Sequence, residues 1–196
     1  MKKKLTMVVS LLLVMALSIG GTLAYLTDKT DTVKNTFTIG SITLTLAEEG
    51  AVKNDETGVY EKSYKIIPGT EVAKEPKLTV TKGSEECYVY ALVDNTLNLN
   101  DGTAAATLDI NTGKWVEVAK KGTATLYKFN TTVDVLDASA DWTESVFTKV
   151  TYSNAITEDT IGQLAGKTIT IKGFAHQTAG VDASTADAAA KTQFGF

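Results

Sequence analysis

Short stretches in which apolar residues alternate with threonine or other polar residues constrain this fold most. Residues 42–46 and 77–81 each place their apolar side chains on one face, as a half-buried strand does. Residues 87–93 are apolar on both faces, which is typical of a central strand. Strand character also marks residues 115–118, 124–129, 146–152 and 168–174. Turn signals such as Pro68-Gly69 separate these stretches, so the sequence predicts an all-β domain, a jelly-roll or immunoglobulin-like β-sandwich.

One or two short helices are expected beside the strands. Residues 158–165 precede Gly166, and glycine commonly ends a helix. Residues 182–193 are rich in alanine and start with Asp182 or Ser184, either of which suits an N-cap.

The first residues have the three parts of a secretory signal peptide. Three lysines follow Met1, residues 8–17 are almost entirely apolar, and no further charge occurs before Asp28. Thr22 and Ala24 occupy the positions that a signal peptidase reads, so we expect cleavage after Ala24 and a new N-terminus at Tyr25. A retained membrane anchor is the alternative, although serine and glycine dilute the apolar run below what a stable span needs.

The chain therefore divides into a signal peptide (1–24), an N-terminal arm (25–36) and a β-sandwich domain (37–196). The arm is polar, with apolar residues only at Tyr25, Leu26 and Val33, and Phe37 follows it. Such a segment is expected to be loosely docked once the leader has been removed. The predicted location is secreted, extracellular or at the cell surface, with membrane contact only transiently through the leader.

The charge of the chain argues against nucleic acid as a partner. The whole chain carries 19 basic and 23 acidic residues, and none of the basic residues is arginine. Cleavage after Ala24 removes three lysines and no acid, which takes the net charge from −4 to −7. Nucleic-acid binders usually present a basic patch and use arginine for bidentate contacts.

Catalytic and metal-binding patterns are weak, and no cofactor is predicted. His176 is the only histidine and Cys87 the only cysteine, whereas zinc sites usually draw on several such ligands. No catalytic residue and no metal ligand is therefore assigned. A calcium loop is suggested superficially by Asp94, Asn95, Asn98, Asn100 and Asp101. Their spacing does not follow the EF-hand pattern, so we interpret them as turn residues.

Several other residues are predicted to be structural. Trp115 and Trp142 are expected to cover or fill the sandwich, with a carbohydrate-binding face as the alternative. Cys87 is expected to be a small buried residue, with an intermolecular or reactive thiol as the alternative. Glu48 and Glu49 are interpreted as the solvated end of a strand.

The leader and the start of the mature chain resemble the TasA/camelysin family of Gram-positive bacteria. The resemblance rests on residues 20–28, from Gly20-Gly21-Thr22 to Asp28, and on residues 35–42, Asn-Thr-Phe-Thr-Ile-Gly-Ser-Ile. Shorter similarities follow in the expected order, at residues 67–69, 74–80, 87–90 and 169–177.

The resemblance implies a secreted jelly-roll-like sandwich that assembles into the extracellular matrix fibres of biofilms. It also implies a leader cut by a signal peptidase of the SipW type, and an arm that completes a sheet of the next subunit. By resemblance that arm runs from Tyr25 to about Phe37. The partners are thus a second copy of the chain and, during export, the signal peptidase.

Two alternatives remain open at this stage. Camelysin was described as a metallopeptidase, but the single histidine and the lack of a zinc-binding helix do not support that activity here. A monomeric binding module at the cell surface is the other alternative.

Overall fold

The computed structural model describes residues 40–196, whose regular structure consists of twelve strands, one 3-10 helix and one α-helix. The strands are β1 (Leu44–Ala47), β2 (Val52–Lys53), β3 (Tyr60–Glu61), β4 (Glu71–Ala73), β5 (Lys77–Val80), β6 (Cys87–Asn95), β7 (Ala106–Leu108), β8 (Trp115–Lys121), β9 (Ala124–Phe129), β10 (Trp142–Ser145), β11 (Lys149–Tyr152) and β12 (Ile169–Gln177). A 3-10 helix spans Ile161–Leu164, and helix α1 spans Ala183–Phe194.

The first sheet has the antiparallel order β12-β6-β9-β8. Its centre is β6, in which five consecutive residues from Val89 to Val93 are buried. Val89, Ala91 and Val93 face the main core, whereas Tyr90 faces the opposite side and packs below α1. Both faces of β6 are covered, which explains why its sequence does not alternate.

The second sheet is built around one long antiparallel ladder with a short interruption. β4 pairs with β11, and β5 pairs with β10, in the same register throughout. Two backbone bonds continue the ladder between them, from Lys74 N–H to the Thr148 carbonyl (3.1 Å) and from Val146 N–H to the Pro76 carbonyl (2.9 Å). β1 adds to β5, and β7 adds to β11.

The two sheets enclose the main core, and this confirms the all-β sandwich. Pairs such as β5 with β10 and β6 with β12 join strands that are distant in sequence, as Greek-key connections do. Trp115 is 1% exposed, and its ring lies 5.3 Å from that of Phe129, which in turn lies 5.0 Å from the ring of Trp142. Trp115 therefore fills the core, and the half-buried Trp142 covers it.

Helix α1 covers the outer face of the first sheet. The Asp182 carboxylate accepts a hydrogen bond from Thr185 N–H (2.8 Å), and Gly195 ends the helix in the left-handed region at φ 76°. Ala186 and Ala190 pack on Tyr90 and Leu126 to form a second, smaller core. The prediction of a helix over residues 182–193 is confirmed within a residue at each end.

Two element predictions are wrong in part. Residues 158–165 form only the 3-10 helix Ile161–Leu164, because the Thr160 hydroxyl accepts a hydrogen bond from Thr157 N–H (2.8 Å) and fixes a local turn. The strand predicted over residues 146–152 is confined to β11, since Val146 and Phe147 are consecutive buried residues and do not alternate.

The residues named for the leader and the arm lie outside the described part of the chain. These are Thr22, Ala24 and Tyr25 at the cleavage site and Tyr25, Leu26, Val33 and Phe37 in the arm. The division into 1–24, 25–36 and 37–196 therefore stays a prediction. Within residues 40–196, none of the helices has the length and the apolar composition of a membrane span.

Candidate functional site, an open groove between two sheet edges

The outer edge of β12 has no strand partner among the described residues. Bonds from Thr96 N–H to the Thr168 carbonyl (3.0 Å) and from Thr178 N–H to the Glu86 carbonyl (3.0 Å) show that even-numbered residues pair with β6. Backbone groups alternate in direction along an antiparallel strand. The N–H and C=O groups of the odd-numbered residues, from Ile169 to Gln177, therefore point away from the sheet.

The edge of β1 lies opposite and is unpaired in the same way. A bond from Thr81 N–H to the Thr43 carbonyl (3.0 Å) fixes odd-numbered residues of β1 against β5. The backbone groups of Leu44 and Leu46 therefore point out of the second sheet, toward β12. The sandwich is thus left with two edges that face each other along one side.

A groove of about 710 Å³ opens between these edges. It is closed at one end, where the Leu44 side chain lies over Gly173, and open at the other end. Apolar side chains of both sheets and of two connecting segments line it: Leu46, Val150, Ile169 and Ile171 from strands, and Ile66 and Leu97 from connections. Later residues of β1 and earlier residues of β12 lie together there, so the two strands run in opposite directions.

A buried ion pair forms part of the groove wall. Lys74 Nζ lies 2.5 Å from Glu48 Oε2, and the two side chains are only 9% and 13% exposed. The Tyr64 hydroxyl donates a hydrogen bond to the other carboxylate oxygen of Glu48. Removing either charge from such a pair leaves the other uncompensated, which is strongly destabilising. The interpretation of Glu48 as a solvated strand end is therefore corrected.

Tyr64 is held as a neutral donor in this wall. Burial, followed by the hydrogen bond to Glu48, raises the pKa of Tyr64 well above its usual value. Lys62 Nζ and Lys74 Nζ lie 5.2 Å and 5.3 Å from the centre of its ring, within cation–π range. The wall joins the end of β1 to the interruption between β4 and β5.

The other edges of the two sheets are short or obstructed. β8, at the far side of the first sheet, carries a bulge between Glu117 and Ala119 and exposes Lys120 and Lys121. Bulges and lysines are common devices against edge-to-edge pairing. The edge strand β7 has three residues. Among the described strands, β12 is therefore the long regular edge, with nine residues.

The structure separates Cys87 from His176. Cys87 faces the main core, whereas His176 lies on the outer face of the same sheet, 6.2 Å from the Phe174 ring centre. Burial, with a smaller contribution from the charge of Glu86, raises the pKa of Cys87 to about 11. The thiol is thus protonated at neutral pH and lacks the character of a nucleophile. This confirms Cys87 as a small buried residue.

No cluster of three or more metal-ligating side chains occurs in residues 40–196. In the loop rich in Asn and Asp, side chains form hydrogen bonds with nearby backbone groups. The Asn95 amide donates to the Ala106 carbonyl (2.9 Å), and Asp101 accepts from Thr103 N–H (2.8 Å). The interpretation of this loop as a turn agrees with these bonds.

Residues 1–84 match the family described as Camelysin metallo-endopeptidase. Over these residues the chain is similar to the camelysin family. The match confirms the recognition of a TasA/camelysin relative from the leader and the residues that follow it. No curated protein and no solved structure matches the chain.

The residues matched by the camelysin family form only one side of the groove. It includes β1, the β2–β3 hairpin and the Lys74–Glu48 pair, and it ends before β6 begins. The unpaired edge of β12 lies beyond it. The family description names a metallopeptidase, and no group of three or more His, Cys, Asp or Glu side chains that could hold a metal ion occurs among residues 40–196.

Proposed function

We propose that the chain is a secreted, non-enzymatic surface or biofilm-matrix protein that self-associates by β-strand addition. The arm of one copy, residues 25–36 with Phe37, adds to the groove between β1 and β12 of the next copy. A signal peptidase of the SipW type removes the leader and creates the Tyr25 N-terminus. The mature protein is located outside the cell or at the cell surface.

The observation that carries this proposal is the pair of facing unpaired edges. An extended segment added along β12 satisfies the outward N–H and C=O groups of that strand through backbone hydrogen bonds, with the edge of β1 beside it. Its side chains alternate, so one face meets the apolar lining of the groove. The arm is long enough, because twelve residues extend to roughly 40 Å and the nine residues of β12 to roughly 30 Å.

The direction of the chain at its first described residues favours insertion of the arm into a neighbouring copy rather than into the chain's own groove. The Ser41 carbonyl accepts from Glu85 N–H (3.0 Å), and Thr43 N–H donates to Ser84 Oγ (3.1 Å). From Ser41 onward the chain therefore already runs in the direction of β1. An arm lying in its own groove would have to reverse direction at Gly40, whereas a neighbour's arm enters without a turn.

Proline scanning of the two edges of the first sheet tests this proposal. Ile169 lines the groove and has an outward N–H, so Ile169→Pro removes a donor that is unpaired in the isolated molecule, and the first residue of an edge strand tolerates such a proline. We expect fibre elongation to fall by about tenfold or more, because a hydrogen bond is lost and the ring obstructs pairing. Elongation is measured by light scattering and electron microscopy.

Glu117→Pro is the matched control, on the bulged edge of β8. Asn130 N–H donates to the Lys114 carbonyl (2.8 Å), which places the Glu117 N–H on the outward side as well. This variant should elongate at the wild-type rate. Fibres from Ile169→Pro at wild-type yield would contradict strand addition at β12, and a wild-type chain that stays monomeric would favour a binding module.

Peptidase activity is the second candidate, because the family description of residues 1–84 names it. We expect zinc-loaded mature protein to leave casein and fluorogenic peptides intact, since one histidine supplies too few ligands. His176→Ala is the control. Cleavage by the wild-type protein that is lost in this variant would establish an enzyme.

A further inference from the structure

The β2–β3 hairpin exposes an unusual amount of apolar surface for its size. Val52 is 72% exposed, Val59 54% and Tyr60 65%. The hairpin pairs with neither large sheet. A two-stranded ribbon of this kind is marginally stable on its own. Its exposed apolar side chains do not pack against the domain and so do not stabilise it.

The tip of the hairpin is nevertheless well fixed. Asn54 Oδ1 accepts hydrogen bonds from the N–H groups of Glu56 (3.0 Å) and Thr57 (3.2 Å). Backbone bonds join Asn54 to Gly58 (2.7 Å) and Val59 (2.8 Å) around a left-handed glycine at φ 70°. The hairpin is thus a preformed element whose apolar side chains lack cover.

The position of the hairpin connects it to the groove. Val59, Tyr60 and Glu61 line the same groove as Leu46 and Ile171. Lys62 Nζ donates to the Glu49 carbonyl (2.8 Å) and ties the stem of the hairpin to the end of β1. The exposed apolar side chains therefore lie beside the mouth of the groove.

We propose that the hairpin Val52–Glu61 is a clasp that closes over the arm of a second copy after that arm has added to β12. This inference rests on the proposed function. The occupant is the arm together with residues 37–39, that is, the segment 25–39, which directly precedes the first described residue, Gly40. At ~3.3 Å per residue it extends to roughly 50 Å, longer than β12, so part of it passes the open end of the groove.

The alternation of side chains along the extended arm determines which of them would contact the clasp. In an extended chain Val33, Phe37 and Ile39 share one face, and Leu26 falls on the other. When the first face meets the groove, Leu26 points outward and stays exposed unless something covers it. Val59 of the clasp provides that cover, and burying the two side chains against each other stabilises the bound arm.

A peptide-release experiment tests the clasp. The acceptor is the mature chain with its own arm silenced by Val33→Ser and Phe37→Ser, and the probe is a fluorescent peptide of residues 25–39. We expect the acceptor that also carries Val59→Ser to release the peptide about tenfold faster, as measured by anisotropy after dilution. Val116→Ser, an exposed valine on β8, is the matched control and should leave release unchanged.

The peptide variant Leu26→Ser completes a double-mutant cycle. It should be released about tenfold faster from the intact acceptor and no faster still from the clasp variant, because the two changes remove one contact. Equal release from intact and clasp-variant acceptors, or fully additive effects, would overturn the clasp while leaving strand addition in place. A peptide that does not bind the intact acceptor would overturn both proposals.

Discussion

Gly173 occupies the closest approach between β12 and the second sheet. A Cβ at this position would lie 2.5 Å from Leu78 Cδ2 and 3.1 Å from Leu44 Cδ2. Leu78 is fully buried, so it has no room to move aside. The absence of a side chain here allows Leu44 to close one end of the groove.

Gly173→Ala should therefore destabilise the domain by about 1–3 kcal/mol through overpacking. Urea denaturation measures the loss as a lower midpoint at an unchanged slope. Gly162→Ala is the matched control, because a Cβ there meets nothing within 4 Å. A Gly173→Ala chain that unfolds at the wild-type midpoint would contradict the close approach.

At the scale of the element, α1 depends on a few polar contacts around a small apolar face. Asp187 accepts hydrogen bonds from Lys128 Nζ and from the Tyr90 hydroxyl, both at 2.8 Å. Only Ala186 and Ala190 of the helix are fully buried. The N-cap Asp182 is consequently important for the start of the helix.

The stability of α1 should depend on pH through this cap. The hydrogen bond from Thr185 N–H, followed by those of the Thr185 and Ser184 hydroxyls, lowers the pKa of Asp182. The cap contribution is therefore complete above the ordinary pKa of the unfolded chain, about 3.9, and is lost as pH falls through the lower folded value. Hydrogen exchange of the α1 amides, corrected for intrinsic rates, measures this loss.

Asp182→Asn separates the cap from general acid unfolding. Asparagine accepts the same hydrogen bond without titrating, so its α1 protection should change less between pH 5 and pH 2. Identical pH profiles for the two proteins would show that Asp182 does not control the helix.

At the scale of the whole molecule, the sequence predicts elements with strong local signals. The bounds of β9 coincide with the predicted stretch, and Asp182 and Gly195 mark α1. β4 and β7 have three residues each, too few to show a period. The groove escaped prediction because it results from long-range pairing, which leaves the edges of β1 and β12 facing each other. The Glu48–Lys74 ion pair likewise joins two residues that are far apart in sequence.

Removal of the leader should control assembly of the whole chain. Mature protein beginning at Tyr25 is expected to form fibres, whereas the uncut chain should lag by about tenfold or more because the leader obstructs entry of the arm into a neighbouring groove. N-terminal sequencing of the secreted protein checks the cut, and light scattering compares the two forms. Equal polymerisation of cut and uncut protein would contradict this control.

The long ladder of the second sheet has a mechanical consequence. The register that pairs Glu71 with Thr151 also pairs Val80 with Trp142, across the interruption at Lys74–Pro76. In a fibre joined at the groove, tension enters each subunit through β1, which pairs with β5 at one end of this ladder. The hydrogen bonds of the ladder then bear the pull in shear and resist it together. A subunit of this design should extend as a stiff link and yield at the junction between copies before its own sheets separate.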